Sequence, residues 1–414
     1  MTGIFFPQRT ALCIDGGSYS PGALGKLLLC GGHVSSYELG ARLAKELSGV
    51  RISSRHLRNL TVKIGTELES ARDERTAAYA LQPLPRTAPR VEPVPQLACV
   101  EVDGGRMQTR TAPRGPGVHE PHWRETKTAG FFRMKTASHA HDPHPALPRC
   151  FADRERMKGL LTGLGDEERR ASATPPGPTS DSKWRPEVLF RTCLASLVSS
   201  ERFGPMMAAE AAARGFFAAE RRAFLADGLP YNWSIQRKHF PTFEPIVDFV
   251  HPVERLHAAS RAVHVERDSA WSQYIAWAQA VWQGHVAQVI DQLADHSQSL
   301  GPPPQDAEES DPRRVLAETL TYLRNNQTRM DYPRYRREGL PVTSALIESL
   351  VKEMNYRVKG SEKFWNDGPS GEAILQVRAA YLSHDDRLAK HLTKRRGCPF
   401  QPNITKESPL ATAS

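Results

Sequence analysis

Long apolar runs are missing from this chain. No stretch of about 18 consecutive apolar residues interrupts its 414 residues, which excludes an ordinary membrane-spanning helix. The opening residues lack the charged-then-apolar order of a signal peptide. Paired cysteines are missing too. The six present (Cys13, Cys30, Cys99, Cys150, Cys193, Cys398) are scattered with no CxxC. That pattern argues against a disulfide frame and against a zinc site of usual spacing, and reads as reduced thiols in the cytoplasm. Apolar content is only 39%, and 32 prolines imply long irregular stretches. Negative charge is in deficit, with 46 acidic against 55 basic residues and a net charge of +9. An anionic partner is therefore expected, either nucleic acid or an acidic membrane surface. The length calls for two or three folded units, and no internal repeat divides them.

The hydropathy pattern then gives an order of elements. Residues 1–34 are rich in glycine and turns. From Ser35 the pattern is helical: Leu39, Leu43 and Leu47 recur at helical spacing, Gly49 ends the run, and Ser53 or Ser54 can cap a second helix marked by Leu57, Leu60, Ile64 and Leu68. Two short helices so joined read as a helix-turn-helix with Arg55, Arg58 and Lys63 on the second, or as a small helical subdomain with a solvated basic face. Residues 82–96 form a proline-rich linker. Apolar strands follow at 97–103 and 128–134, and 138–186 is a long irregular insertion. A helical pattern over 186–217 leads into a strand ending at Asp227, then a helix and a strand ending at Ile246-Val-Asp-Phe-Val-His. Residues 253–338 are helical, with Trp271, Trp277 and Trp282 reading as helix packing. Helices follow around Glu348 and over 372–382, and the basic tail from 384 to 414 is expected to lack order.

Three carboxylates stand where a carboxylate is a poor neighbour unless it has work to do. Asp103 and Asp227 each end an apolar strand and precede glycine, and Glu348 lies among Leu346, Ile347, Leu350 and Val351. Two strand-end aspartates and a helical glutamate, far apart in sequence, suit a two-metal phosphoryl-transfer site, which needs carboxylates from separate elements. Each has an ordinary reading as well: Asp-Gly is common turn chemistry, and a glutamate on an amphipathic helix usually faces water. The cluster His139, His141, Asp142 and His144 has metal-ligand residue types but lies in a proline-rich loop.

With their contexts these residues resemble a family. Val102-Asp-Gly-Gly-Arg-Met-Gln, Trp123-Arg-Glu-Thr-Lys, Ala226-Asp-Gly, Asp248-Phe-Val-His, Arg329-Met-Asp-Tyr-Pro and Gly339-Leu-Pro-Val-Thr-Ser-Ala-Leu-Ile-Glu-Ser occur in that order. So arranged, the chain resembles bacterial insertion-sequence transposases of the DDE type, a group distantly akin to Mutator-like transposases, from about Ser35 to Leu382. The resemblance implies an α/β fold: a ribonuclease-H-like mixed sheet with a large all-helical insertion (253–338), preceded by a small helix-turn-helix-like domain within 1–81. The catalytic domain would run over 97–252 and resume at 339–383.

By that resemblance Asp103, Asp227 and Glu348 form the triad and hold two Mg²⁺ (or Mn²⁺) ions, which activate a water and then a 3′-hydroxyl for in-line attack on DNA. Asp248 and His251 match an accessory Asp-x-x-His pair. Arg124 and Lys127 match a basic strand facing the DNA backbone, or simply a solvated strand face. Arg334, Arg336 and Arg337, then Lys390, Lys394, Arg395 and Arg396, are further phosphate contacts or surface. The implied partners are the terminal inverted repeats, target DNA and further copies of the chain in a synaptic complex, in a bacterial cytoplasm at the nucleoid. Two departures bear on activity. Thr343-Ser-Ala stands where many relatives have Gly-Ser-Gly, and Met1 falls where relatives have sequence upstream of Phe5-Phe-Pro-Gln-Arg, as in an N-terminal truncation. The other readings are a catalytically inactive, transposase-derived DNA-binding protein and a ribonuclease-H-like nuclease.

Overall fold

The computed structural model describes residues 19–84, 86, 91–110, 122–157, 185–343, 345–360, 363–366 and 369–395. The glycine-rich opening before residue 19, parts of the proline-rich segment, most of the 138–186 insertion and the tail from Arg396 lie outside them.

Three helices come first: α1 (Pro21–His33), α2 (Tyr37–Ser48) and α3 (Ser54–Ala80). Ser36 and Ser53 each accept a backbone N–H at 3.1 Å, from Leu39 and His56, as N-caps do. Gly49, in the left-handed region at φ 68°, closes α2. The second helix is not short, as a helix-turn-helix would have it, but 27 residues long. Between Gly65 and Pro83 no glycine or proline stops it, and Ala71, Ala77, Ala78 and Ala80 favour its continuation. Near its middle it crosses a C-terminal helix, α13 (introduced below), so closely that a Cβ at Gly65 would overlap the Ala373 carbonyl.

The sheet is built from β1 (Leu97–Arg110), β2 (His122–Lys135), β3 (Glu187–Ser196), β4 (Arg221–Ala226) and β5 (Glu244–Val247) in the order β3-β2-β1-β4-β5. A two-residue β6 (Trp365–Asn366) adds to the end of β1. β2 is antiparallel to both β1 and β3, whereas β1, β4 and β5 are parallel. The fold is thus α/β with a mixed, open sheet. Two expectations are corrected here. β1 does not end at Asp103, since Asp103-Gly-Gly stays extended and pairs on with Thr128, Lys127 and Thr126. Residues 187–196, expected to be helical, are a strand. Leu189, Arg191 and Cys193 alternate with Phe190, Thr192 and Leu194, and the run takes up the free edge of β2.

Helices fill the rest: α4 (Arg149–Ala152) within the 138–186 segment, α5 (Ser200–Ala213), α6 (Pro230–His239), then α7 (Val250–Val263), α8 (Arg267–Trp282), α9 (Val286–Leu300), α10 (Pro312–Asn326) and α11 (Tyr332–Arg337). Trp277 and Trp282 are fully buried in this group, and Phe249 meets Trp282 edge-on at 4.7 Å. The chain returns to the sheet with α12 (Ala345–Val358) and α13 (Pro369–Leu382). The tail is ordered further than expected: α14 (Arg387–Lys394) buries Leu388 and Leu392 against Leu24 and Leu28 of α1.

The N-terminal helices are tied to this body by buried charge. Glu372 of α13 accepts from Arg72 of α3, from Ser196 Oγ at 2.8 Å, and from Leu197 N and Gln376 Nε2, each at 2.9 Å.

Candidate active site

Strand register sets the first part of the site. β1 and β4 run in parallel with Glu101 opposite Leu225, and β4 and β5 with Ala226 opposite Val247. Carrying each register one or two residues onward puts Asp103, Asp227 and Asp248 on one level, Asp103 within β1 and the two others just past the carboxyl ends of β4 and β5. Neighbouring strands lie about 4.8 Å apart, so the three aspartates form a tight row. The Asp248 N–H, bonded to the Ala226 carbonyl at 3.0 Å, holds the end of that row.

Each aspartate ties one oxygen to nearby N–H groups. Asp103 Oδ1 accepts from Gly104 N at 2.6 Å. Asp227 Oδ1 accepts from Leu229 N and Asn232 Nδ2, both at 2.9 Å, in the turn that starts α6. Asp248 Oδ1 accepts from Val250 N at 3.1 Å as α7 begins. The second oxygens of Asp103 and Asp227 have no hydrogen-bond partner among the described residues.

Glu348 enters from α12, in its first turn, where the helix dipole favours an acid. One of its oxygens stands 3.7 Å from Lys352 Nζ, and the other, Oε1, is buried without a partner. The helix is held to the sheet by a residue that the sequence reading passed over. Glu101, fully buried two positions before Asp103 and on the same face of β1, accepts the Ile347 N–H at 3.0 Å. The alternation from Asp103 back to Glu101 was the available signal. Nothing local, however, reveals that the amide of a residue 246 positions on would cover that carboxyl.

Charge is poorly compensated here. Burial pushes the Asp103 carboxyl up to about 6, against the pull of His251 and the Gly104 N–H, and the charges of Asp227 and Asp248 add to the rise. Burial and the Asp248 charge raise Glu348 to about 7. Burial pushes Glu101 up to about 8, with Asp248 and Glu348 adding to it. His251 goes the other way: burial would lower it, but Glu254 on one side and Asp248 on the other raise it to about 9. Its two nitrogens stand 3.7 Å from Asp248 Oδ2 and 3.6 Å from Glu254 Oε2. The imidazolium is the counter-charge of the aspartate row.

These observations decide whether a metal suits the residues. An orphaned buried oxygen on Glu348, unpartnered oxygens on Asp103 and Asp227, and carboxyls raised by burial and, to a lesser degree, by one another all favour a cation between them. As the side chains stand, no three His, Cys, Asp or Glu among the described residues are gathered closely enough to ligate one ion. Mg²⁺ keeps several waters and needs only one or two carboxylates, so the donor set suits it without a closed cage. The His139–His144 cluster does not act this way. Asp142 pairs with the buried Arg336, which also lies over the Trp282 ring at 4.0 Å.

The basic candidates separate. On α3, Arg55 and Lys63 are exposed and Arg58 is half-buried. On β2, Arg124 donates to the Leu197 carbonyl at 3.2 Å, and Lys127 is buried against Glu125 at 2.8 Å rather than turned to solvent. From Thr126 to Phe132 β2 is buried on both faces, Lys127 included. Arg336 is buried, and Arg334 is held by Glu244 at 2.6 Å, so neither is open to a phosphate. Arg395 pairs with Glu67 at 2.7 Å, and Lys390 donates to the Asp385 carbonyl at 2.7 Å. Arg396 lies outside the described residues.

Neither a scan against protein-family models nor a search of curated proteins finds a match to this chain. Among the described residues no helix is long and apolar enough to cross a membrane.

Proposed function

We propose that this chain is a DNA transposase of the DDE type that cleaves and joins DNA strands at the ends of an insertion sequence. The observation that carries the reading is the row of Asp103, Asp227 and Asp248 at one level of three adjacent strands, with Glu348 brought to the same cluster by α12. The mixed sheet is the kind a ribonuclease-H-like core calls for. Five helices, α7 to α11, lie between β5 and the helix of Glu348, which supports reading them as the all-helical insertion.

Asp103, Asp227 and Glu348 would hold the two Mg²⁺ or Mn²⁺ ions. When bound, such ions activate a hydroxyl nucleophile and stabilise charge on the phosphodiester. The chain's own residues supply the frame. Gly104 and Leu229 N–H groups fix one oxygen of each aspartate, and the Glu101–Ile347 bond fixes the level of α12. His251, raised to about 9 and so protonated at neutral pH, stands 3.7 Å from Asp248 and offsets part of the acidic charge. The exposed Arg55 and Lys63 on α3, with Arg58 beside them, offer cations for repeat DNA, consistent with the net charge of +9. Synapsis of two ends calls for more than one copy, and work on chromosomal DNA implies the nucleoid.

The test is incubation of the purified chain with Mg²⁺ or Mn²⁺ and DNA carrying the repeats that flank its gene, beside the Asp227→Asn protein. Cleavage at the repeat ends by the parent alone is expected. Equal products from both proteins would overturn the reading, and cutting indifferent to the repeats would favour a nuclease.

A further inference from the structure

An anionic substrate entering this site meets Asp103, Asp227, Asp248, Glu254 and Glu348, so a cation facing the substrate has work to do. The cations nearby are already spent. His251 lies between Asp248 and Glu254, Lys352 faces Glu348, and Lys127 is bound to Glu125. Three buried or half-buried arginines elsewhere are bound to carboxylates: Arg336 to Asp142, Arg72 to Glu372, and Arg387 to Glu210 and Asp385; the buried Arg357 and Arg378 are bound to backbone carbonyls.

Arg255 differs. It lies on α7, one helical turn beyond His251 and therefore on the same face. Half-buried, it makes no hydrogen bond or ion pair among the described residues, and its guanidinium carbon sits over the Tyr322 ring at 4.3 Å. Tyr322 belongs to α10, and its hydroxyl donates to the Asp227 carbonyl at 2.9 Å. One turn on, Asn326 donates to the Gly228 carbonyl at 3.3 Å and accepts from Trp233 Nε1 at 2.8 Å. Gly228 has φ +96°, and a Cβ there would come within 2.6 Å of the Tyr322 ring. Charges from Arg255, Asp227, Asp248 and Glu254 all act on the Tyr322 hydroxyl, which puts the guanidinium at the edge of the acidic cluster.

We infer that Arg255 binds a backbone phosphate of the DNA at this site, its planar fork presented to the strand by the ring of Tyr322. The inference rests on the DNA-processing reading above. A guanidinium stacked on a ring keeps its N–H edges open, and that edge matches two phosphate oxygens at once. Tyr322 is a positioning residue with two duties: its ring carries Arg255, and its hydroxyl holds the Asp227 turn. The helices between β5 and α12 thus contribute to the reacting end of the sheet.

The test separates binding from chemistry. Full-length chain carrying Asp227→Asn, without divalent metal, is titrated against a short fluorescent DNA duplex over a range of NaCl, with Arg255 or Arg255→Gln. Removing one phosphate contact should make the slope of log K against log salt shallower by about 0.9. Arg255→Lys should restore the slope as a point charge, yet in the Asp227 parent it should cleave more slowly for want of the fork. Tyr322→Phe, which keeps the ring, should leave the slope unchanged and lower the cleavage rate. If Arg255→Gln melts well below the parent, Arg255→Met, which keeps the stem on the ring, takes its place. An unchanged slope, or a parent that does not bind the duplex, overturns the assignment. A parent that binds but never cleaves with Mg²⁺ or Mn²⁺ counts against the transposase reading, and the slope still judges Arg255.

Discussion

Replacing Glu372 by glutamine should loosen the attachment of the long α3 helix. The carboxylate accepts four hydrogen bonds in a buried setting, and its charge partner Arg72 is itself 4% exposed. Glutamine keeps one acceptor oxygen but turns an NH₂ toward the Leu197 N–H, donor against donor. Removing one member of a buried pair costs about 3–5 kcal/mol, because the other charge is left unpaired. Arg72 keeps a second partner, Asp73, at 2.7 Å, so the lower end, about 3 kcal/mol, is expected. At about 2 °C per kcal/mol for a large domain, the melting midpoint should fall by about 6 °C in differential scanning calorimetry. The double variant Arg72→Met/Glu372→Leu, with both charges gone, should recover more than half of that loss. A midpoint for Glu372→Gln within about 1 °C of the parent would refute the reasoning.

Other outcomes follow from the same structure. Glu101→Ala should cost about 1–3 kcal/mol in urea denaturation by leaving the buried Ile347 N–H unsatisfied. Glu101→Gln keeps the acceptor and should cost clearly less; equal losses would mean that the cap is not what matters. His33 is held down to about 4, chiefly by burial and then by the Arg378 charge. Its folded value is depressed below the ordinary 6.5, so its contribution is present above pH 6.5 and is lost as pH falls toward 4. His33→Leu should flatten that acid limb of the stability curve, and an equally steep limb would exclude His33 as its source.

Much of the candidate site is legible in the sequence. Asp103, Asp227 and Glu348 stood out because a carboxylate beside an apolar strand or helix face needs a reason. Asp248 and His251 stood out through the Asp-x-x-His spacing. What stayed hidden depends on long-range contacts. Glu101 reads as one polar residue in a strand until α12 covers it. Arg255 and Tyr322 are unremarkable in sequence, since their contact joins two helices separated by α8 and α9. The strand at 187–196 is masked in sequence by the alanine- and leucine-rich stretch that follows it, and the alternation that marks it spans only ten residues. Lys127 reads as surface in sequence because its burial depends on β2 lying between β1 and β3 and covered on both faces.

The claim that these carboxylates form one cation site is tested most directly by calorimetric titration of Mn²⁺ into the parent and into the Asp103→Asn protein, at a pH above the raised carboxyl values. Uptake by the parent, with a clear loss of affinity in Asp103→Asn at an unchanged melting point, is the expected result. No uptake by the parent, or identical isotherms for the two proteins, would contradict it.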